Sequence, residues 1–572
     1  MSFIKAFPFL LFVFLLACSS PERSGPDAIY YNGVIYTVDS LQPVVAAIAI
    51  KDGRILALGN NSEILALAGT KTEKTDLKGR FVMPGFIEGH GHFLGLGQSL
   101  QQLDLMEAES WDEIVRLVEQ KIKGNSTSKW INGRGWHQEK WSGDQSEFVE
   151  GYPSHHKLSL ISPEHPVILR HASGHALMAN QQAMTLAGIT AQTPDPFGGR
   201  IIRDKSGNPT GVFEENAMDL FQQLITRHQD GRSDQEKKQE TIETLQLAQQ
   251  ACLAYGITSF QDAGSSRSLL DLLRTMAEES QLTVRLWAML IEPTVDLPKL
   301  MEGLPWIGLG DGFLTVRAIK AYMDGALGSH GAWLLKPYTD KNGYTGQNVV
   351  PPDTLAHIAK LALDRELQFC VHAIGDRANQ EVLNIYEDLF STHPDKDNLR
   401  WRIEHVQHLD TSDIKRFNQM GIIASMQPVH CISDAPFVEK RLGGQRTKDG
   451  AYIWRDLLDA GAPFAIGTDV PVESVNPFTN IYAAVTRKRL DNAEPFYPDQ
   501  AITRKEALYA YTLGNAWAAF EEHDKGSLSP GKFADFIILS NDLSGCPVEA
   551  IQQTRVLKTI LGGKLVYSSK EE

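Results

Sequence analysis

Eight short apolar stretches, most of them separated by segments of helical pattern, constrain this chain more than any other feature. They are FVMPGFIEGHGH, YGITSFQD, TVRLWAML, LTVRAIKAYMD, LQFCVHAIGD, LRWRIEHVQ, GIIASMQP and APFAIGTD. DTLAHIAKLALDREL and RANQEVLNIYEDLF are examples of the helix-like pieces between them. Repeated strand-then-helix units imply parallel strands, and eight of them predict an α/β fold, a (β/α)8 TIM-like barrel, over residues 83–521. The stretch from about 94 to 250 is too long for a first crossover, so a large insertion is expected after strand 1. A chain of 572 residues has room for this barrel and a smaller domain.

The two ends of the chain share a different texture. AIYYNGVIYTVD, VAAIAIKDGRILALG and KTDLKGRFVMPGF near the start are matched by GKFADFIILSND and VLKTILGGKLVYSS near the end. Asp52-Gly53 between alternating apolar residues is a strong hairpin signal, and Gly562-Gly563 marks a second turn. We expect one small β-sandwich-like domain built from residues 28–82 and 522–572.

MSFIKAFPFLLFVFLLACSS, at the start, is too short an apolar run for a membrane span and reads as the core of a signal peptide. Its LLAC ending resembles the bacterial lipobox. That resemblance implies a lipoprotein signal peptide over 1–17, lipidation of Cys18 and a tether over 18–27, with Ser19 fitting the outer membrane, facing the periplasm. An ordinary cleaved signal peptide is the alternative. The remaining cysteines, Cys252, Cys370, Cys431 and Cys546, form no CxxC pair, so a metal here needs nitrogen and oxygen ligands. A net charge of −15 without a basic run argues against a nucleic-acid partner.

Barrel chemistry sits at the C-terminal ends of the strands. The first stretch ends in His90 and His92, which alternate and so face one side. The fifth carries His372, the sixth His405, and the eighth ends in Asp469; Lys320 interrupts the apolar fourth. Neutral imidazoles and carboxylates suit Zn²⁺ and related divalent ions, and such an ion turns water into a nucleophile near neutral pH. Asp469 beside that water is placed to take its proton and pass it to a leaving amine. A lysine desolvated in a strand loses basicity, and its neutral amine can add carbon dioxide, releasing a proton, to give a carbamate able to bridge two cations. Each residue also has a structural reading when taken singly. The histidine pair can be a solvated strand end, His372 and His405 satisfied core histidines, Lys320 the partner of a carboxylate such as Asp324, and Asp469 a cap.

The chain resembles the amidohydrolase superfamily, and more closely its YtcJ-like (amidohydrolase family 3) members. The resemblance rests on MPGFIEGHGH, WINGRGWHQEKW, SGHALMAN, PTGVFEE, AIKAYMDGALGS, VHAIGDRAN, RIEHVQ and GTDVPVESVNP. It implies that His90, His92, Lys320, His372, His405 and Asp469 form a site for one or two divalent metals. Zinc is the first choice, with manganese, iron or cobalt as alternatives, and a carbamate on Lys320. It further implies hydrolysis of a small amide-like substrate at a carbon–nitrogen bond. Glu88 replaces the usual Asp before HxH, Gly91 the usual Thr or Ser, and His137 a more common Asp. Trp136, His137, His175, Asn180, Asp324 and His330 are expected around the substrate pocket. The rival readings are an ester, lactone or phosphoester hydrolase on the same centre, and a catalytically inactive binding lipoprotein of the envelope.

Overall fold

The computed structural model describes residues 25–124, 130–141, 148–221, 233–489 and 494–570. The signal peptide, Cys18 and most of the tether lie outside the described residues. Eight parallel strands run around a barrel in sequence order: β1 Phe86–Gly91, β2 Ile257–Ser265, β3 Arg285–Leu290, β4 Leu314–Tyr322, β5 Gln368–Ala373, β6 Arg402–His405, β7 Ile423–Met426 and β8 Phe464–Ile466. Each pairs with the next in parallel register. Helices cover the strands from outside, so both faces are dry, and all six residues of β3 are buried. In helix Pro352–Asp364 the buried residues Leu355, Ile358, Ala359, Ala362 and Leu363 fall three and four apart, one stripe facing the sheet.

The seam between β8 and β1 is closed by specific atoms. Asp469 N–H donates to the His90 carbonyl at 2.7 Å, and His92 N–H donates to the Val470 carbonyl at 2.7 Å. Beneath them, Asn515 Nδ2 donates to the carbonyls of Ile87 (2.7 Å) and Ile466 (2.8 Å), and its Oδ1 accepts from Ile466 N–H at 3.1 Å. A Cβ at Gly467 would lie 2.3 Å from His90 N and 2.4 Å from a Glu88 carboxylate oxygen, so only glycine allows this approach. Asn515→Ala leaves three buried backbone groups without that partner. We expect it to cost roughly 3 kcal/mol, read as a lowered urea midpoint; an unchanged midpoint would mean that the seam closes without this side chain.

Between β1 and β2 the chain builds its own six-stranded sheet, in the order Gly199–Arg203, Pro209–Glu215, Ala176–Ala179, Val167–His171, Ile131–Trp136, Leu103–Asp104. Helix Asp234–Ala254 then returns to the barrel, opened by a reciprocal cap between Ser233 and Glu236.

Both chain ends meet in a sandwich of two sheets. One holds Arg54–Gly59, Ala47–Lys51, Ala28–Tyr31 and Glu73–Asp76. The other runs Lys564–Ser568, Val556–Leu561, Phe536–Leu539, Phe81–Pro84, Val34–Tyr36, Val44–Val45. Ile35, Ile48, Ile50, Val82, Phe536 and Ile560 fill the space between them. Both expected turns form, with positive φ at Asp52 and Gly53 and at Gly562 and Gly563, as a two-residue hairpin of matching twist requires. One expectation needs correcting. FVMPGFIEGHGH is two strands: Phe81–Pro84 pairs with Phe536–Leu539 in the sandwich, and only Phe86–Gly91 enters the barrel. Both halves are wholly buried, so no change of period marks the hand-over. Among the described residues no helix is long and apolar enough to cross a membrane.

Candidate metal centre

The C-terminal mouth of the barrel gathers the expected side chains. Asp469 stands at the middle: its Oδ1 lies 3.3 Å from His92 Nε2 and 3.5 Å from His90 Nε2, and its Oδ2 lies 3.7 Å from His430 Nε2. Two trios, His90/His92/Asp469 and His405/His430/Asp469, each bring their donor atoms within 4.8 Å of one another. The His372 ring centroid is 4.4 Å from that of His405, and His372 Nε2 is 3.8 Å from Asp324 Oδ1. His90 Nε2, His372 Nε2, His430 Nε2 and Asp469 Oδ1 are buried without a hydrogen-bond partner, which is costly unless something fills that role. Donor set and orphaned atoms together fit a divalent ion held by nitrogen and oxygen.

The layer below fixes how these ligands face. Glu404 Oε2 sits 2.6 Å from His90 Nδ1, and its Oε1 is 2.7 Å from Arg402 Nε; all three side chains are fully buried. Arg402 is itself held by the Gly89 carbonyl and Ser425 Oγ, both at 2.8 Å. Gln427 Oε1 lies 2.8 Å from His405 Nδ1. An oxygen at Nδ1 puts the proton there and leaves Nε2 with a lone pair, the tautomer a metal needs. At His430 the amide nitrogen of Gln407 faces Nδ1 at 3.0 Å, so the proton sits on Nε2, towards Asp469; turning that amide over would free the lone pair. His405, Val406 and Asp469 all have φ between 46° and 79°, a cost that clusters at functional sites.

Burial dominates the electrostatics. It drives the imidazoles of His372 and His405 well below the usual range, leaving them neutral. It also lowers Lys320, against the opposing charges of Glu404 and Asp469. Burial by itself would raise Asp469, but the imidazoles of His90, His92 and His405 crowded around it hold the carboxyl well below normal. Glu88, pushed up to about 8 by burial, accepts from Thr468 N–H (2.6 Å), His90 N–H (3.3 Å) and Tyr511 OH (3.0 Å), so it ties the seam rather than facing the cavity.

A cavity of about 600 Å³ opens over this centre, lined by His92, Lys320, His372, His405, His430 and Asp469 from the barrel and by His137 and His175 from the insertion. His175 Nδ1 lies 2.9 Å from Glu215 Oε2; burial opposes its charge, but the hydrogen bond and charge of Glu215, with the charges of Asp469 and Asp324, raise its pKa. His137 packs between His171 and Phe437 and is pushed down to about 3 by burial. Four expected pocket residues, Trp136, Asn180, His330 and Asp324, do not line this cavity. Trp136 is buried in the insertion with Nε1 donating to the Leu169 carbonyl at 2.8 Å. Asn180 caps helix Gln181–Leu186 and ties down Ser162 and His165. His330 pairs with Asp340 at 3.1 Å on a loop. Asp324 does not pair with Lys320: its carboxylate accepts from Trp333, Ile374 and Gly375 N–H at 2.8–2.9 Å and anchors that loop behind His372. His430, which the sequence reading missed, opens helix Pro428–Leu442 directly after β7. A histidine four residues past a barrel strand was the signal.

A parallel eight-stranded barrel with imidazoles and a carboxylate at its C-terminal mouth is an architecture of metal-dependent hydrolases. The model of the family described as "Amidohydrolase family" matches residues 73–567, and the chain belongs to that family. It is 34% identical to the protein LONG AFTER FAR-RED 3 of Arabidopsis thaliana, over 97% of this chain and 94% of that one. With the putative amidohydrolase YtcJ of Bacillus subtilis it shares 30% identity, over 94% and 99%. An N-substituted formamide deformylase of Arthrobacter pascens is 26% identical, over 95% and 98%. Among solved structures, an uncharacterized metal-dependent hydrolase of Pyrococcus horikoshii superposes with a TM-score of 0.72 at 27% identity, covering 91% of this chain and 99% of that one.

Proposed function

We propose that this metal-dependent hydrolase cleaves an amide-like carbon–nitrogen bond, with His90, His92, Lys320, His372, His405 and Asp469 as its metal site. The observation that carries the reading is the His90/His92/Asp469 trio, with His405 and His372 beside it, around one ionised, buried carboxylate with an unpartnered oxygen. Nitrogen and oxygen donors favour zinc. An ion held there polarises the substrate carbonyl and raises the acidity of water. Asp469 accepts the proton of the attacking water and delivers it to the departing nitrogen. His175, held by Glu215, presents its other ring nitrogen to the cavity and orients the substrate. Lys320, desolvated and with lowered basicity, serves as a carbamate ligand. The insertion roofs the cavity and limits water. The formamide deformylase likeness makes N-formyl amines the first substrates to try. Lipid anchoring at Cys18 to the envelope belongs to the same proposal and rests on LLACSS alone.

Protein beginning after Cys18 and purified without chelator is expected to carry about two divalent ions per chain by elemental analysis. It should hydrolyse members of an N-formyl amine panel, lose that activity to a chelator and regain it with zinc. One ion would remove Lys320 from the ligand set. No ion, with no uptake of zinc or manganese, would overturn the proposal.

A further inference from the structure

Arg134 and Arg170 stand opposite each other on adjacent parallel strands of the insertion sheet, so both side chains leave from one face. Both line the cavity over the candidate metal centre. Arg134 is strapped in place: Nε donates to the Pro471 carbonyl at 3.1 Å, two residues beyond Asp469, and Nη2 donates to the Ala172 carbonyl at 2.9 Å. Among the described residues Arg170 makes no side-chain hydrogen bond and neither guanidinium has a carboxylate within 4 Å. Asp469 acts on Arg134, and the exposed Asp219 on Arg170, only from beyond ion-pair range. Burial lowers both cations, Arg134 to about 10. Two neighbouring, partly desolvated cations repel each other, and such an arrangement is favourable only when an anion completes it.

We propose that Arg134 and Arg170 form a carboxylate subsite, and that the substrate is an anionic amide whose carboxylate is held on the insertion while its scissile bond lies over the metal centre. This deepens the hydrolase reading and rests on it. The planar guanidinium fork matches a carboxylate in two parallel hydrogen bonds. Asp434, Glu473 and Asp469 also line the cavity, and they disfavour a dianionic phosphate there. The subsite fixes polarity: the anionic end points to the insertion and the acyl group to the barrel.

The test uses zinc-loaded protein and two inert probes that differ only at one end, 5-phenylvalerate and 5-phenylpentanol, compared by titration calorimetry. The acid should bind at least about tenfold tighter than the alcohol. Arg170→Gln should remove most of that margin, and Arg134→Lys, which keeps the charge but loses the fork, should reduce it. Equal affinities, no measurable binding of the acid, or a margin that survives both substitutions would overturn the subsite; the last would mean that the acid binds the metal alone. The hydrolase reading fails separately, through absent metal uptake or absent amide hydrolysis.

Discussion

Asp469→Asn is expected to lower kcat on any amide substrate by roughly 10³-fold. Asparagine has nearly the same size and can still face His90, His92 and His430, so the barrel mouth should keep its arrangement. What it loses is the ability to take a proton, and the negative charge shared by both donor trios. The measurement is kcat together with metal content by elemental analysis. A thousandfold loss with metal retained would assign the effect to proton transfer. A loss of metal would assign it to ligation. Undiminished hydrolysis with metal retained would show that Asp469 does not move the proton.

Glu404→Gln should act on both stability and metal binding, although Glu404 does not line the cavity. Its carboxylate meets Arg402 through both oxygens and His90 through Oε2, with every partner fully buried. Burial would raise this carboxyl, but the Arg402 charge and the hydrogen bond with His90 keep it well below the ordinary range. A neutral amide leaves Arg402 as an uncompensated buried cation, for which about 3–5 kcal/mol of destabilisation is expected. It also loosens the tautomer and aim of His90, for which about a 10–100-fold loss of metal affinity is expected. Urea unfolding measures the first and competition with a graded chelator the second. Wild-type affinity in a destabilised variant would show that His90 keeps its aim without Glu404.

The eight barrel strands were legible, the first with its boundary misplaced, because they are apolar runs bounded by turns and most are followed by a helical stripe. Their order then followed from the rule that parallel neighbours need crossovers. The ligand candidates were legible for the same reason, since a polar residue at the end of such a run has little structural purpose. Other features were not. Trp136, Asn180 and His330 sit in motifs that look functional, yet what each does depends on partners far from its motif or outside the cavity: Leu169, Val167 and Asp340. His430 escaped notice because it belongs to the helix after β7 rather than to the strand. Arg134 and Arg170 are 36 positions apart, and only sheet register makes them neighbours.

The sandwich has a consequence for how the protein is made. Strand Phe81–Pro84 finds its antiparallel partner in Phe536–Leu539, and the barrel seam waits for Asn515. At ordinary ribosomal speed the interval between these strands is on the order of a minute. Throughout it the emerging chain carries an unpaired sheet edge and half of a metal site, both sticky. The stretch from β8 to Asn515 therefore closes the wall around His90 and His92 late, and the last fifty residues then act as a clasp that completes the sandwich beneath it.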